Sequence, residues 1–405
     1  MSIEIRPTEN LAEFGRAIGV IGHYFGGWPA DDAAAERFAR NLPFERVHAA
    51  FDGEAIVGGA GAFPFQLTVP GGPLACAGVT VVGVLPTHRR RGILNALMRQ
   101  QLDDVRRRGE PVAALWASEE GIYRRYGYGM AALGAEMTLP RGHHALRPPA
   151  DGDTTVRLVS LEEAKELVPP IYDRVRLRTP GMYERSATWW ESRQLDDPPD
   201  RREDGAVKNV AVVEHGGRPA AYALYRVVSK WEAAANVGHV RVIEAMGDDG
   251  AELELWRYLL GVDWISTFRA DHLPVDHPLV HALVNPRRAV LRLYDTLFVR
   301  LVDVGAALSA RSYAGDEPLV LEVADTFLPD NAGRWRIAGG VAERTDDDGA
   351  DLALDVNEVA SLYLGGFGAS ELVRAGLVRE LREGAAARAD ALFATPRKPW
   401  CPEIF

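Results

Sequence analysis

The segment Val79–Asn95, V-T-V-V-G-V-L-P-T-H-R-R-R-G-I-L-N, constrains the fold more than any other part of the chain. An apolar strand from Val79 to Val84 runs into Pro86, three consecutive arginines and Gly92, and then into a helix. After Gly92, residues Leu94, Leu97, Met98, Leu102 and Val105 share one face at helical spacing, and Gly109 ends the run. Such a strand-to-helix junction is a phosphate-binding turn. The helix start offers backbone N–H groups and a positive dipole end, glycine allows close approach, and guanidinium groups add charge. The ligand it suggests is a large polyphosphate such as coenzyme A. Three arginines in a row at that junction weigh against a merely solvated basic loop.

A chain of 405 residues has room for two or three domains, and 47% hydrophobic residues are enough for full cores. No apolar run approaches ~18 residues, so no membrane span is expected. Met1–Arg6 lacks the charged-then-apolar shape of a signal peptide. The two cysteines, Cys76 and Cys401, are far apart and without metal spacing, which points to a reduced, cytoplasmic protein holding no metal. A net charge of −11 argues against a nucleic-acid partner and suits a cationic substrate.

The order of elements predicts an α+β fold in three parts. Residues 2–8 read as a strand, and Glu9–Tyr24 and Asp31–Leu42 as helices. Asp52-Gly53 turns a hairpin between Val47–Phe51 and Ala55–Gly61. Phe65–Val69 pairs with Leu74–Val84, Val112–Ala117 follows the arginine turn and its helix, and Met130–Leu139 closes the unit. Pro140–Asp153 reads as a linker. A second unit repeats this order, opening on a capping box at Ser160 and Glu163. At the place of the arginine turn it carries Met246-Gly247-Asp248-Asp249-Gly250, and two aspartates there argue against diphosphate binding. It reads as a degenerate copy. From about Ala289 an α+β third domain begins, with Val290–Val304 as one apolar, strand-like stretch. The boundaries are 1–145, 146–288 and 289–405.

The first unit resembles the GNAT family of acyl-CoA-dependent N-acetyltransferases. Arg89-Arg90-Arg91-Gly92-Ile93-Leu94 follows the family's R/Q-x-x-G-x-G/A signature up to the last position, where Leu94 departs from it. Tyr123-Arg124-Arg125-Tyr126-Gly127-Tyr128 fits the family's Y-x-x-x-G-F/Y, with Ser118-Glu119 just before it. Over its full length the chain is similar to the Eis (enhanced intracellular survival) proteins of actinobacteria. These join a working GNAT domain, a degenerate one and a sterol-carrier-like domain. That resemblance implies acetyl-CoA as cosubstrate, acetyl transfer to amines of aminoglycosides or other polyamines, and a homohexamer. Protein or peptide lysines are the alternative acceptors, and a non-catalytic acyl-CoA- or lipid-binding protein is the alternative class.

On this reading the backbone of Val82, Gly83 and Val84 holds the pantetheine arm as a neighbouring strand would. Arg90, Arg91, Gly92, Ile93, Leu94 and Asn95 cradle the diphosphate, with Ser118 and Glu119 nearby. The resemblance assigns the general acid to Tyr123, with Tyr126 as its rival. It assigns the base to the carboxylate of the last residue, Phe405. A proton moved from a tyrosine at ~10 to a thiolate at ~8.5 costs about 2 kcal/mol. Phe25, Trp28, Trp116 and Glu403 are candidates for the acceptor pocket.

Overall fold

The computed structural model describes residues 3–26, 32–150, 152–202, 206–346 and 349–405. Trp28 lies outside the described residues. The chain divides into two compact units. Met1–Ala132, Thr296–Pro396 and Ile404–Phe405 form the first, and Leu133–Asp295 with Arg397–Glu403 the second.

In the first unit, β1 (Glu4–Pro7), β2 (Val47–Asp52), β3 (Ala55–Val69), β4 (Gly72–Val84), β5 (Val112–Trp116) and β6 (Gly129–Met130) join β16 (Leu297–Leu301) in one sheet. Its order is β1-β2-β3-β4-β5-β16-β6. The helices are α1 (Leu11–Phe25), α2 (Asp32–Ala39), α3 (Ile93–Arg107) and α4 (Glu120–Tyr123). The Asn10 side chain caps α1 by accepting from the Glu13 N–H, and Gly26, at φ 77°, ends the helix. Its buried face, Phe14, Ala17, Ile18 and Val20, lies on β3 and β4. A Cβ at Gly59 would come within 2.2 Å of the Ala17 carbonyl oxygen, so this contact requires glycine.

Strand β3 is a single element where the sequence suggested two. It runs through Pro64, which sits past Gly61, the end of its pairing with β2. There the strand has a neighbour on one side only, the place where a sheet tolerates proline.

The second sheet contains β7 (Leu133–Pro140), β8 (Thr154–Val159), β9 (Lys208–His215), β10 (Arg218–Val228), β13 (His239–Gly247), β14 (Thr267–Pro274) and β15 (Val290–Asp295). Its order is β15-β7-β14-β13-β10-β9-β8. The pair β11 (Trp231–Glu232) and β12 (Ala235–Asn236) forms a small ribbon. Helices α5 (Leu161–Arg176), the short α6 (Ala187–Trp189), α7 (Ala251–Leu260) and α8 (Leu279–Ala282) complete the unit. Ser160 caps α5 by accepting from the Glu163 N–H at 3.1 Å, as its sequence predicts.

Two predicted elements change sheets. The strand expected to close the first unit is β7, and it pairs with β14 and β15 in the second sheet. The apolar stretch from Val290 breaks at Thr296 into β15 and β16. All five residues of β16 are buried, and it lies between β5 and β6 in the first sheet. On the edge strand β15, Val290, Leu291 and Leu293 are exposed. An unbroken apolar run shows strand character without showing which sheet takes each half.

The remainder of the first unit carries a third sheet, of order β19-β18-β17-β20-β21. Its strands are β17 (Leu319–Ala324), β18 (Gly333–Ala338), β19 (Val341–Arg344), β20 (Leu352–Asp355) and β21 (Val378–Glu380). Helices α9 (Val304–Ala310), α10 (Val356–Tyr363), α11 (Ala369–Arg374) and α12 (Ala385–Phe393) pack with it. Among the described residues, no helix is long and apolar enough to cross a membrane.

Candidate active site

Strands β4 and β5 are parallel neighbours only from Cys76 to Gly78 against Val112 to Ala114. Beyond that they part, so the β4 edge from Val79 to Val84 has no strand partner on the β5 side. Val81, a β-branched residue at φ 49°, lies at a register shift between β3 and β4, where a bulge bends the strand. The split opens into a cleft of about 780 Å³.

At one end of the cleft stands the arginine turn. Arg90 and Gly92 both take left-handed conformations, at φ 59° and 78°. No side chain caps α3, and a Cβ at Gly92 would meet nothing within 4 Å. The first-turn N–H groups of a helix need an acceptor, and here they face an approach open to a phosphate. Val82, Gly83, Val84, Arg90, Gly92, Ile93, Leu94, Asn95, Ser118 and Glu119 all line the cleft. Arg91 does not. Its guanidinium turns to Asp52, 3.3 Å away, because the backbone reverses at Arg90.

Two residues at this end of the cleft, Arg89 and Tyr24, are not among the candidates read from the sequence. Arg89, the residue at the signature's own first position, lines the cleft with His88. Its Nε donates to the Tyr24 hydroxyl at 2.9 Å, and its guanidinium lies 4.8 Å from the centre of that ring. The Tyr24 hydroxyl in turn donates to the Val84 carbonyl at 2.6 Å. The last turn of α1 is thereby tied to the end of β4. For Arg89 the motif carried the signal; for Tyr24 no local pattern did.

Tyr123 lies at the end of α4 and lines the same cleft. It is only 8% exposed, and burial, with Tyr126 a second influence, pushes its phenol up to about 12. Tyr126 also lines the cleft, and its phenol is raised, chiefly by burial. Tyr128 is fully buried, with its ring 6.0 Å from that of Tyr123.

The segment carrying these tyrosines is held from behind. Asn357, on α10, donates from Nδ2 to the carbonyls of Arg124 and Tyr128 at 2.9 and 2.7 Å. Glu358 is buried and pairs with Arg124. Gly127 is left-handed at φ 84°, and a Cβ there would fall 2.1 Å from Arg300, whose buried guanidinium meets Asp325 at 2.6 Å.

The acceptor candidates separate. Phe25 is 71% exposed and lines the cleft. Trp116 ends β5 opposite Leu297 and is not a lining residue. Glu403 lies in the second unit. Its carboxylate accepts from the Tyr183 hydroxyl at 2.7 Å and from Trp189 Nε1 at 3.0 Å, and pairs with Arg185 at 3.1 Å. Burial alone would raise its carboxyl, but Arg185, Arg193 and these hydrogen bonds hold it below the usual range. Phe405 is buried, and its ring packs edge-on against Phe65 at 5.0 Å. Phe65 in turn covers Gly78, where β4 and β5 part.

Residues 4–131 match an acetyltransferase (GNAT) domain family, and residues 181–301 match a second family of the same description. Residues 304–402 match the sterol carrier protein domain family. Fold and cleft thus define a tandem GNAT acetyltransferase of α+β class, with acetyl-CoA as the cosubstrate. An uncharacterized N-acetyltransferase of Streptomyces avermitilis is 40% identical over 389 residues, 94% of each chain. N-acetyltransferase Eis of Mycobacterium tuberculosis is 37% identical over 358 residues, covering 85% of this chain and 84% of that protein. The crystal structure of Eis1 from Mycobacterium abscessus shares 36% identity at a TM-score of 0.87, covering 99% of this chain and 100% of that one. The chain belongs to the Eis-type N-acetyltransferases of the GNAT family.

Proposed function

We propose that the first cleft transfers acetyl from acetyl-CoA directly to an amine of an aminoglycoside or similar polyamine, with Tyr123 as general acid and the Phe405 carboxylate as base. The observation that carries this reading is a buried tyrosine in the same cleft as an uncapped helix start and an unpaired strand edge. The net charge of −11 and the exposed aromatic Phe25 support a polycationic acceptor.

In this mechanism Arg89, Arg90 and the α3 N–H groups hold the diphosphate, and the edge from Val82 to Val84 aligns the pantetheine arm. The amine loses its proton to the Phe405 carboxylate, directly or through a water, and attacks the thioester carbonyl. The C–N bond forms, the C–S bond breaks, and the sulfur takes up the developing charge. With the Tyr123 phenol at about 12, complete transfer to a thiolate at ~8.5 costs about 5 kcal/mol. That exceeds the cost at the ordinary tyrosine value. Tyr123 therefore acts mainly by donating a hydrogen bond to the sulfur as charge develops.

We assign the working domain to residues 1–145, the degenerate copy to 146–288 and the sterol-carrier-like domain to 289–405, with β7 of the first part lying in the second sheet and β16 of the last in the first sheet. The chain assembles as a homohexamer, a reading that the exposed Val290, Leu291 and Leu293 of edge strand β15 support. Sedimentation of the Leu293→Glu variant tests the assembly. For the activity, thiol release is measured from acetyl-CoA with untagged protein against aminoglycosides, lysine peptides and simple polyamines. Rapid release with aminoglycosides is the expected result. Release with lysine peptides alone would replace the acceptor class.

A further inference from the structure

The second unit repeats the split of the first and walls it with its own chain. Strands β13 and β14 pair in parallel only from His239 to Val242 against Thr267 to Ala270, yet they continue to Gly247 and Pro274. A cleft of about 580 Å³ lies there, walled by Met246, Trp256 and His277 and completed by Arg397, Lys398 and Trp400 of the carboxyl-terminal segment.

Its charges are the reverse of those in the first cleft. Asp249, at the turn, meets Arg397 at 2.6 Å. The Lys398 backbone N–H donates to Asp276 at 2.8 Å. The Trp400 N–H donates to the Pro180 carbonyl at 2.8 Å, and the indole is 4% exposed in a core that includes Val175 and Met246. Gly181, at φ 92°, leaves room for it: a Cβ there would lie 3.0 Å from the Trp400 carbonyl oxygen. Glu403 then enters the buried network of Arg185, which also holds Glu244 through two hydrogen bonds of 2.9 and 2.6 Å. A buried indole and a buried, paired carboxylate are strong anchors, whereas the Arg397–Asp249 pair is exposed and adds little.

We propose that this degenerate cleft is the receptor for the chain's own carboxyl-terminal segment, with Trp400 and Glu403 as positioning residues that fix the Phe405 carboxylate. The positioning role rests on the reading of Phe405 as base. The cleft keeps the GNAT split and changes what meets it: the chain's own segment forms one wall, and Asp249 and Asp276 receive that basic segment where arginines would receive phosphate.

The test uses full-length protein with a free carboxyl terminus. In Trp400→Ala/Glu403→Ala, carboxypeptidase should release Phe405 roughly tenfold faster or more, and kcat should fall by a similar factor while the acetyl-CoA Kd is unchanged. Trp400→Phe with native Glu403 should restore both. A terminus as well protected in the double variant as in the native protein overturns the receptor proposal, whatever the activity. A freed terminus with unchanged kcat overturns the positioning role and the assignment of Phe405 as base, while the cleft stands as receptor. If the double variant does not fold, the isosteric Glu403→Gln answers through the same trimming assay.

Discussion

The two clefts share a frame and differ in the charge at their turns. In each, a pair of parallel strands separates after a few residues, and a helix starts from a glycine without a side-chain cap. The first presents Arg89 and Arg90 at its turn. In the second, Asp248 pairs with Arg174 at 3.2 Å, and Asp249 pairs with Arg397. On the two proposals above, the same split sheet serves two ligands, and the charge at the turn distinguishes a phosphate-bearing one from a basic peptide.

Exchanging that charge should give the largest effect. Arg89→Asp with Arg90→Asp gives the first turn the second turn's sign. Two charge-assisted contacts, at ~1.5–3 kcal/mol each, are lost, so the acetyl-CoA Kd should rise by roughly a hundredfold or more in calorimetry. The reverse exchange, Asp248→Arg with Asp249→Arg, should add no second acetyl-CoA to the titration, because Arg397, Lys398 and Trp400 still wall that cleft. A stoichiometry of two would break the comparison.

Next in size is Tyr123→Phe, which should lower kcat by about a hundredfold and leave acetyl-CoA affinity intact. Unchanged turnover would move the acid role to Tyr126 or to water. Asn357→Ala removes the donor shared by two carbonyls behind the tyrosine segment. It should destabilise the protein by about 1–3 kcal/mol in denaturant titration and lower kcat severalfold with KM for acetyl-CoA unchanged. A loss of stability without a change in kcat would make the support structural only.

The smallest effect concerns pH. A tyrosine raised from its ordinary ~10 to about 12 favours the protonated phenol in the folded state. Its contribution to stability is complete below pH ~10 and is lost as pH climbs through about 12. Between pH ~7 and ~9 the kcat profile should therefore show no descending limb from Tyr123. A limb in that range that disappears in Tyr123→Phe would show the phenol to be much more acidic than its burial dictates.

What could be read in the sequence is what depends on neighbours along the chain. The arginine turn, the Ser160 cap and the hairpin glycine Gly53 are set by local dihedral and capping rules, and they stand where the residues predict them. Acid in place of arginine at Asp248 and Asp249 marked the second turn as different, although nothing local disclosed that Arg397 would meet it. Three arginines in a row cannot say which two line the cleft, since that depends on a reversal at Arg90. Tyr24 on Val84 and Asn357 on Tyr128 join residues far apart in sequence, so neither contact has a local signature. Glu403 reads as an acceptor-pocket candidate because its partners, Tyr183, Trp189 and Arg185, lie some 200 residues earlier and leave no local mark.

Strand β16 bears on how the protein is made. It sits between β5 and β6, although it is synthesised after the whole of the second sheet. At ~5–20 residues per second, the ribosome takes many seconds to travel from β6 to β16, and through that interval β5 has a bare flank. A nascent chain paused there presents an unfinished sheet to any passing strand. Ordered translation through residues 133–295, or a chaperone that shields β5 meanwhile, should then raise the yield of folded protein.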